Sequence, residues 1–198
     1  ADEETGSKHS RDLIEELAQQ VGLVLVMEPA SDGEALKVWR KGIARYTVHT
    51  HGRASHAGNA PEAGINAIIE AAHQALALHA LNDLPNGTSV SVTRVSGGIA
   101  TNVIPPEAKL EVDVRFLKAS EAQRVHNTIL ALDPYLPGAS VTVEGEIDRG
   151  PMERNEQMLR AFAQVKRIGQ AVGLDVPEGG SGGASDGNFT AALGVPTL

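Results

Sequence analysis

Two adjacent carboxylates near the start of the chain are the first residues that could do chemistry. Glu3 and Glu4 follow Asp2, and Glu28 comes directly after the apolar residues 23–27. A metal-dependent hydrolase needs one carboxylate to bind the metal and another to take a proton from the attacking water. A solvated acidic turn for Glu3 and Glu4, and an ordinary loop position for Glu28, explain the same pattern without chemistry. The residues alone leave both interpretations open.

A second candidate lies in the segment His51-Gly-Arg-Ala-Ser-His56-Ala-Gly. Side chains alternate across a strand, so two histidines five positions apart point to opposite faces and do not predict a metal-binding pair. His56 lies in a loop bounded by glycines, where its imidazole is placed to donate a hydrogen bond to a reacting carbonyl. The alternative is a loop histidine with an ordinary hydrogen-bond partner. His73, His79 and His126 fall on predicted helices and are interpreted as surface or packing residues.

Two arginines and a glycine-rich segment are candidates for binding anions. Arg115 lies on the open face of a predicted strand, and Arg149 follows another strand. Guanidinium groups pair well with carboxylates, and the partner is either a ligand or a neighbouring acidic residue such as Asp113. Residues 179–186 are rich in glycine and precede a short helix, whose first N–H groups suit an anion. Because the segment lacks a lysine, it does not predict a nucleotide-binding P-loop.

These residues have to be positioned by an α/β fold. Between residues 42 and 149, apolar periodicities predict four strands and two helices in the order β-α-β-β-α-β. This order is typical of a ferredoxin-like sandwich with both helices on one face of the sheet. The elements are predicted at residues 44–48, 61–80, 90–92, 110–116, 120–132 and 141–143, with Pro61 opening the first helix and Ser120 and Gln123 as a capping box of the second. The apolar face of the first helix comprises Ile65, Ile68, Ile69, Ala72 and Leu76.

The flanking segments predict pieces of a separate α/β arrangement. Residues 7–21 predict a helix, residues 23–27 a strand buried on both faces, and residues 30–41 a polar turn or linker. Residues 155–172 and a short stretch near 187–193 predict two further helices. We therefore expect the sequence between residues 42 and 149 to be a compact insert between residues 1–41 and 150–198.

The composition excludes several classes of protein. The 198 residues include 17 basic and 25 acidic side chains, a formal net charge of -8, and only 3% are aromatic. Nucleic-acid binding needs basic surfaces or aromatic stacking platforms, so it is not expected. The sequence contains no stretch of 18 apolar residues, so a membrane-spanning helix is not predicted. The absence of cysteine excludes thiol chemistry but leaves the cellular compartment undetermined.

Six short motifs, in their order along the chain, resemble the M20 family of metallopeptidases and amidohydrolases. They are Asp2-Glu3-Glu4-Thr5-Gly6-Ser7, Val26-Met27-Glu28-Pro29, Gly52-Arg53-Ala54-Ser55-His56-Ala57-Gly58 with Pro61-Glu62, Asn102-Val103-Ile104-Pro105, Asp113-Val114-Arg115 and Gly183-Ala184-Ser185-Asp186. The third motif is most similar to the glutamate carboxypeptidase branch of the family, which removes C-terminal glutamate from folate-like or peptide substrates.

The resemblance implies a fold and a role for individual residues. It implies two pieces of a metallopeptidase catalytic domain, residues 1–41 and 150–198, flanking a lid or dimerisation domain at 42–149. Under this resemblance Glu3 is the general base and His56 stabilises the tetrahedral intermediate, reaching across a homodimer formed by the lid. Glu4 and Glu28 each bind one of two zinc ions. The residues that orient a small peptide or N-acyl amino acid are Asn102, Arg115, Arg149 and Ser185.

The sequence also departs from the family pattern. Two metal-binding histidines and a bridging aspartate of the family have no counterpart, so we expect a fragment whose zinc site is incomplete and which is inactive by itself. Two functions follow as hypotheses. The parent protein is a zinc-dependent, carboxypeptidase-like exopeptidase that hydrolyses an amide bond next to a free carboxylate, such as that of a C-terminal glutamate. Alternatively, the chain is a non-catalytic dimerisation or ligand-binding module.

Overall fold

The chain forms two compact units in the computed structural model, which describes residues 2–198 apart from the side chain of residue 32. The first unit comprises residues 2–43, 116–119 and 149–198, and the second comprises residues 44–115 and 120–148. In chain order the helices and strands are α1 (Arg11–Ala18), β1 (Leu36–Arg40), β2 (Gly42–His51), β3 (Ser55–His56), α2 (Ala67–His79), β4 (Ser89–Gly97), β5 (Val103–Ile104), β6 (Glu107–Phe116), α3 (Ala119–Leu130), β7 (Ser140–Arg149), α4 (Glu156–Ala171), β8 (Glu178–Ser181) and α5 (Gly187–Ala192).

The second unit is built on a four-stranded sheet in the order β4-β6-β2-β7. Val48 on β2, and Leu110 and Val112 on β6, are buried, whereas the residues between them line the opposite, open face. Burial of each such side chain contributes about 1.5–3 kcal/mol. The alternation that predicted these strands is therefore the physical basis of the core. A mixed α/β fold is confirmed.

Helix α2 turns a different face to the sheet from the one predicted. Ile68, Ile69 and Leu76 are 39%, 47% and 69% exposed. The face that is buried comprises Ala67, Glu70, Ala71, Gln74 and Leu78. Glu70 and Gln74 are buried because they hydrogen-bond the segment 133–136, so helical periodicity alone assigned the wrong face.

The starts of both helices in this unit also differ from the predictions. Pro61 begins a separate short 3-10 helix, and α2 is instead capped by Asn66, whose Oδ1 accepts the N–H groups of Ile68 and Ile69. Ser120 lies inside α3 rather than at its cap. The N–H of Ala119, the first residue of α3, donates to Glu153 Oε1 at 2.8 Å. Glu153 thus supplies an acceptor of the kind a capping side chain provides.

The first unit contains a parallel strand pair that the sequence did not predict. β1, within the expected linker 30–41, pairs with β8, which overlaps the start of the glycine-rich segment, and Leu36 lies opposite Glu178. Val38 on β1 is fully buried against Phe162 and Leu198. Gly180 on β8 must be a glycine, since a Cβ atom there would overlap the Trp39 ring. A strand whose partner is glycine-rich and far away in sequence has no local signature.

The strand predicted at residues 23–27 is reduced to a single parallel bridge between Val24 and Thr197. Met27 is 95% exposed, so the prediction of burial on both faces is wrong for this side chain. Its backbone hydrogen bonds join it to Pro196 and Leu198 on one side, and the Val26 carbonyl also accepts the N–H of Glu28. α1 is shorter than predicted because residues 2–10 form turns of their own. No helix among residues 2–198 is long and apolar enough to span a membrane.

Glu70 is the buried charge that organises the second unit. Its carboxylate accepts hydrogen bonds from Gln74 Nε2 at 2.7 Å and from the N–H groups of Tyr135 and Leu136 at 3.0 and 2.7 Å. Burial opposes ionisation, but these hydrogen bonds outweigh it and hold the pKa of Glu70 below its ordinary value. His73 adds a favourable charge, and its ring stacks on Tyr135.

We expect Glu70→Gln to destabilise the protein by about 2–3 kcal/mol at neutral pH, because its amide presents a donor to backbone donors. A lowered folded pKa stabilises the fold above the unfolded value of about 4.3, and this contribution is lost as pH falls through the folded pKa. Urea unfolding of wild type and Glu70→Gln should therefore differ at pH 7 and differ less at pH 3, which lies below the unfolded value. The exposed Glu62→Gln is the matched control, and an equal difference at both pH values would contradict the prediction.

Candidate functional site

The Glu3-Glu4 pair lies in a tight turn that Asp2 organises. The Asp2 carboxylate accepts hydrogen bonds from Ser10 Oγ at 2.6 Å and from the His9 N–H at 2.8 Å. The Ser10 hydroxyl, followed by the His9 N–H, lowers the pKa of Asp2 to about 2. Glu3 and Glu4 lie in a short 3-10 helix, Glu3–Thr5, which ends at Gly6 in the left-handed conformation. The turn therefore holds the two carboxylates in a defined backbone geometry.

Glu3 and Glu4 differ in their contacts. Glu3 Oε1 lies 3.0 Å from Arg149 Nη1, and Arg149 Nη2 lies 3.4 Å from Asp186 Oδ1. Ser7 is fully buried and donates its hydroxyl to Asp186. Glu4 is exposed. One carboxylate of the pair is thus fixed by a cation, and its neighbour faces solvent.

Glu28 lies at the end of the bridge-forming segment, beside strand β1. Its carboxylate contacts Arg40 Nη2 at 2.5 Å and Lys37 Nζ at 3.9 Å. These three residues line a cavity of about 140 Å³ within the first unit. Glu34 also lines this cavity, so its acidic and basic side chains are equal in number, and Glu28 is paired with two cations.

His56 and Asn102 are brought together in the second unit by the two-residue strands β3 and β5, which pair antiparallel. The N–H of Ala57 donates to the Asn102 carbonyl at 2.9 Å. His56 Nδ1 accepts the N–H groups of Gly58 and Asn59 at 3.1 and 3.0 Å. An imidazole whose Nδ1 accepts carries its proton on Nε2 when neutral. The exposed His56 ring thus presents an Nε2–H donor.

Arg115 and Ser185 already have protein partners. Arg115 makes two hydrogen bonds, of 2.7 and 3.0 Å, to the carboxylate of Asp113, the neighbour considered from the sequence. Ser185 is buried, and its Oγ accepts the N–H of Gly187 at 3.3 Å at the start of α5. The predicted substrate contacts of both residues stay predictions.

The described residues do not fit a complete zinc site. Between residues 2 and 198, no group of three or more histidine, cysteine, aspartate or glutamate side chains is arranged to hold a metal ion. A catalytic zinc ion needs three protein ligands, whereas Glu4 and Glu28 offer one carboxylate each. Sequence reasoning also missed Ser7 and Asp186 as members of the Glu3 network, because a long-range hydrogen bond leaves no local pattern.

Comparison with known proteins agrees with the motif analysis. Residues 38–132 match the peptidase dimerisation domain of the M20 family. Carboxypeptidase G2 from Pseudomonas sp. (strain RS-16) is 35% identical over 204 residues, which cover 100% of this chain and 48% of that protein. Residues 38–132 are thereby identified as a peptidase dimerisation domain of the M20 type. The predicted resemblance is thereby confirmed.

Two further similar proteins extend the comparison. Succinyl-diaminopimelate desuccinylase from Stenotrophomonas maltophilia (strain R551-3) is 29% identical over 204 residues, covering 98% of this chain and 53% of that protein. The crystal structure of aminopeptidase PepT from Bacillus cereus ATCC 10987 has a TM-score of 0.81 at 22% identity, covering 97% of this chain and 52% of that one. The chain thus spans about half the length of the relatives that it matches.

Proposed function

We propose that the whole protein is a zinc-dependent, carboxypeptidase-like exopeptidase that hydrolyses an amide bond next to a free carboxylate. A small peptide or an N-acyl amino acid with C-terminal glutamate is the proposed substrate class. The similarity to carboxypeptidase G2, which extends over the whole chain, supports this choice. The similarity to a desuccinylase and to an aminopeptidase supports the broader class of amide hydrolases.

The observation that carries the proposal is the hydrogen bonding of the His56 ring, which fixes its tautomer. Two backbone N–H groups occupy Nδ1, so the neutral ring has one tautomer and one free donor. A fixed donor of this kind stabilises the negative oxygen that develops when water adds to an amide carbonyl. Asn102, held beside His56 by the β3–β5 pair, is proposed to orient the same carbonyl group.

Glu3 is proposed to take the proton of the attacking water, with its carboxylate held by Arg149. Glu4 and Glu28 are proposed to contribute one ligand each to two zinc ions whose other ligands belong to the rest of the whole protein. Zinc supplies a Lewis acid when bound. Arg115 is proposed to bind the substrate carboxylate, exchanging one of its two hydrogen bonds with Asp113 for the ligand. Ser185 is a weaker candidate because its hydroxyl is buried.

The same proposal assigns each segment of the chain to a domain. Residues 1–41 and 150–198 are assigned to the catalytic domain and residues 42–149 to the lid. The sheet order β4-β6-β2-β7, with α2 and α3 in the intervening connections, supports a ferredoxin-like arrangement for the lid.

A homodimer formed through the lid is proposed from its exposed apolar surface. On α2, Ile68, Ile69 and Leu76 face solvent, and on or beside the edge strand β4 Val95 and Ile99 are 58% and 77% exposed. The Cδ1 atom of Ile68 lies beside Gly98, next to the end of β4, so the helix and the strand share one surface. Contiguous apolar surface next to an unpaired strand edge favours association with a second copy.

The proposed function is tested with the whole protein and a pair of matched substrates. We expect an N-acyl glutamate to be hydrolysed and its α-carboxamide derivative to be hydrolysed at least about tenfold more slowly, because the charged hydrogen bonds to the carboxylate are lost. Chelation should abolish the activity, and added zinc should restore it. Activity that survives chelation would contradict the proposal. A metal-free dimer formed by residues 42–149 without any hydrolysis by the whole protein would favour the non-catalytic module.

A further inference from the structure

Arg149 is a buried charged group of the first unit with several polar partners. Its side chain is only 5% exposed, yet it has two acidic partners, the Glu3 and Asp186 carboxylates. Nη2 also lies 3.4 Å from the Glu3 carbonyl and 3.3 Å from Ser7 Oγ. The Phe189 ring covers the guanidinium, with Cζ 4.7 Å from the ring centroid. A buried cation in such surroundings is held by hydrogen bonds, opposite charge and an aromatic face together.

These contacts join two parts of the chain that lie far apart in sequence. Glu3 and Ser7 belong to the turn of residues 2–7, whereas Asp186 and Phe189 belong to the start of α5. The Ser7 hydroxyl donates to the same Asp186 carboxylate that accepts from Arg149, which closes the network. Arg149 therefore fixes both the side chain and the backbone carbonyl of Glu3.

We propose that Arg149 is a positioning residue that holds Glu3 in place, rather than a residue that contacts the substrate. This inference rests on the proposed function of Glu3 as the base. Reactions of bound groups are sensitive to displacements of about 1 Å, which cost about 10²-fold in rate. A guanidinium already bonded to two carboxylates, a carbonyl and a hydroxyl has little capacity left for a ligand carboxylate.

The test uses Arg149→Lys and Arg149→Met in the whole protein, measured by steady-state kinetics and by hydrogen exchange. We expect kcat to fall by about 10²-fold for Arg149→Met, with KM within about threefold of wild type. Exchange at the Gly6 and Ser7 amides, which bond the Glu3 and Asp2 carbonyls, should accelerate about tenfold or more. Compared with Arg149→Met, Arg149→Lys should recover part of kcat and part of the amide protection. Lysine keeps the positive charge but lacks the planar guanidinium that bonds two partners at once.

Arg154→Met is the matched control. Arg154 belongs to the same unit, is half exposed and pairs with Glu178, so its replacement should leave kcat and both amides unchanged. A rise in KM at constant kcat, with normal amide protection, would overturn the proposal in favour of direct substrate binding. If Arg149→Met does not fold, Arg149→Lys decides through the same two readouts. If the wild type shows no activity, the proposed function fails, whereas the exchange data still support or refute the link between Arg149 and the turn.

Discussion

Replacement of His56 by alanine is expected to lower kcat of the whole protein by about 10²–10³-fold, the usual cost of losing one donor to a developing oxyanion. The fold should be retained, because the His56 ring is exposed and its hydrogen bonds lie within residues 56–59. Steady-state kinetics on an N-acyl glutamate, together with thermal unfolding of both proteins, measures the two effects separately.

His79→Ala provides the control, since His79 is an exposed histidine at the end of α2 and has no proposed part in the reaction. Its kcat should equal that of the wild type. His56→Gln adds a second comparison, because glutamine retains a donor and is expected to recover part of the lost rate. An unchanged kcat of His56→Ala would contradict the proposed role of His56 in the reaction.

Heterodimers should regain activity if His56 acts on the partner's substrate. One subunit carries Glu3→Gln and the other carries His56→Ala, and each homodimer alone is expected to be inactive. In the heterodimer, one of the two sites combines an intact Glu3 with an intact His56 from the other subunit, so about half of the wild-type activity per dimer is expected. Isolation with two different affinity tags, followed by the kinetic assay, gives the answer.

The apolar surface of α2 supplies the control for this experiment. Charged replacements at two exposed positions, Ile68→Glu with Ile69→Glu, should prevent association and abolish the regained activity. The corresponding change at an exposed polar position, Gln123→Glu on α3, should leave association intact. Heterodimers that form but remain inactive would show that His56 does not reach the neighbouring site.

The elements that could be predicted from the sequence are those whose signals are local. β2 and β6 were evident because apolar and polar residues alternate, as at Ala44, Tyr46 and Val48. α4 was evident from its apolar period, and Asn155 caps it by accepting the N–H of Met158. His56 was singled out from its glycine-bounded loop, and the groups that fix its tautomer come from the next few residues.

The features that could not be predicted depend on partners far away in sequence. The buried face of α2 depends on the backbone N–H groups of residues 135 and 136. They donate hydrogen bonds to the Glu70 carboxylate and so allow it to be buried. β1 was interpreted as part of a linker because residues 30–41 are polar and contain Asp32-Gly33. Its partner strand, in which two of four residues are glycine, lies far away in sequence. Arg149 was considered for substrate binding because a guanidinium group pairs well with a carboxylate. Its partners in the structure, Glu3, Ser7 and Asp186, lie far away in sequence and could not be inferred from it.

The pairing of β1 with β8 has a consequence for the order of folding. Leu36 and Glu178 are partners although roughly 140 residues separate them, and closing so long a loop carries an entropic cost that grows with its length. β2 and β7 are neighbours in the sheet, and Arg45 and Asp148 form an ion pair of 3.3 Å at the two ends of the second unit. Once this unit has formed, the remaining loop is only roughly 40 residues long, which lowers the cost by about 1 kcal/mol. We therefore expect the second unit to form before β1 pairs with β8.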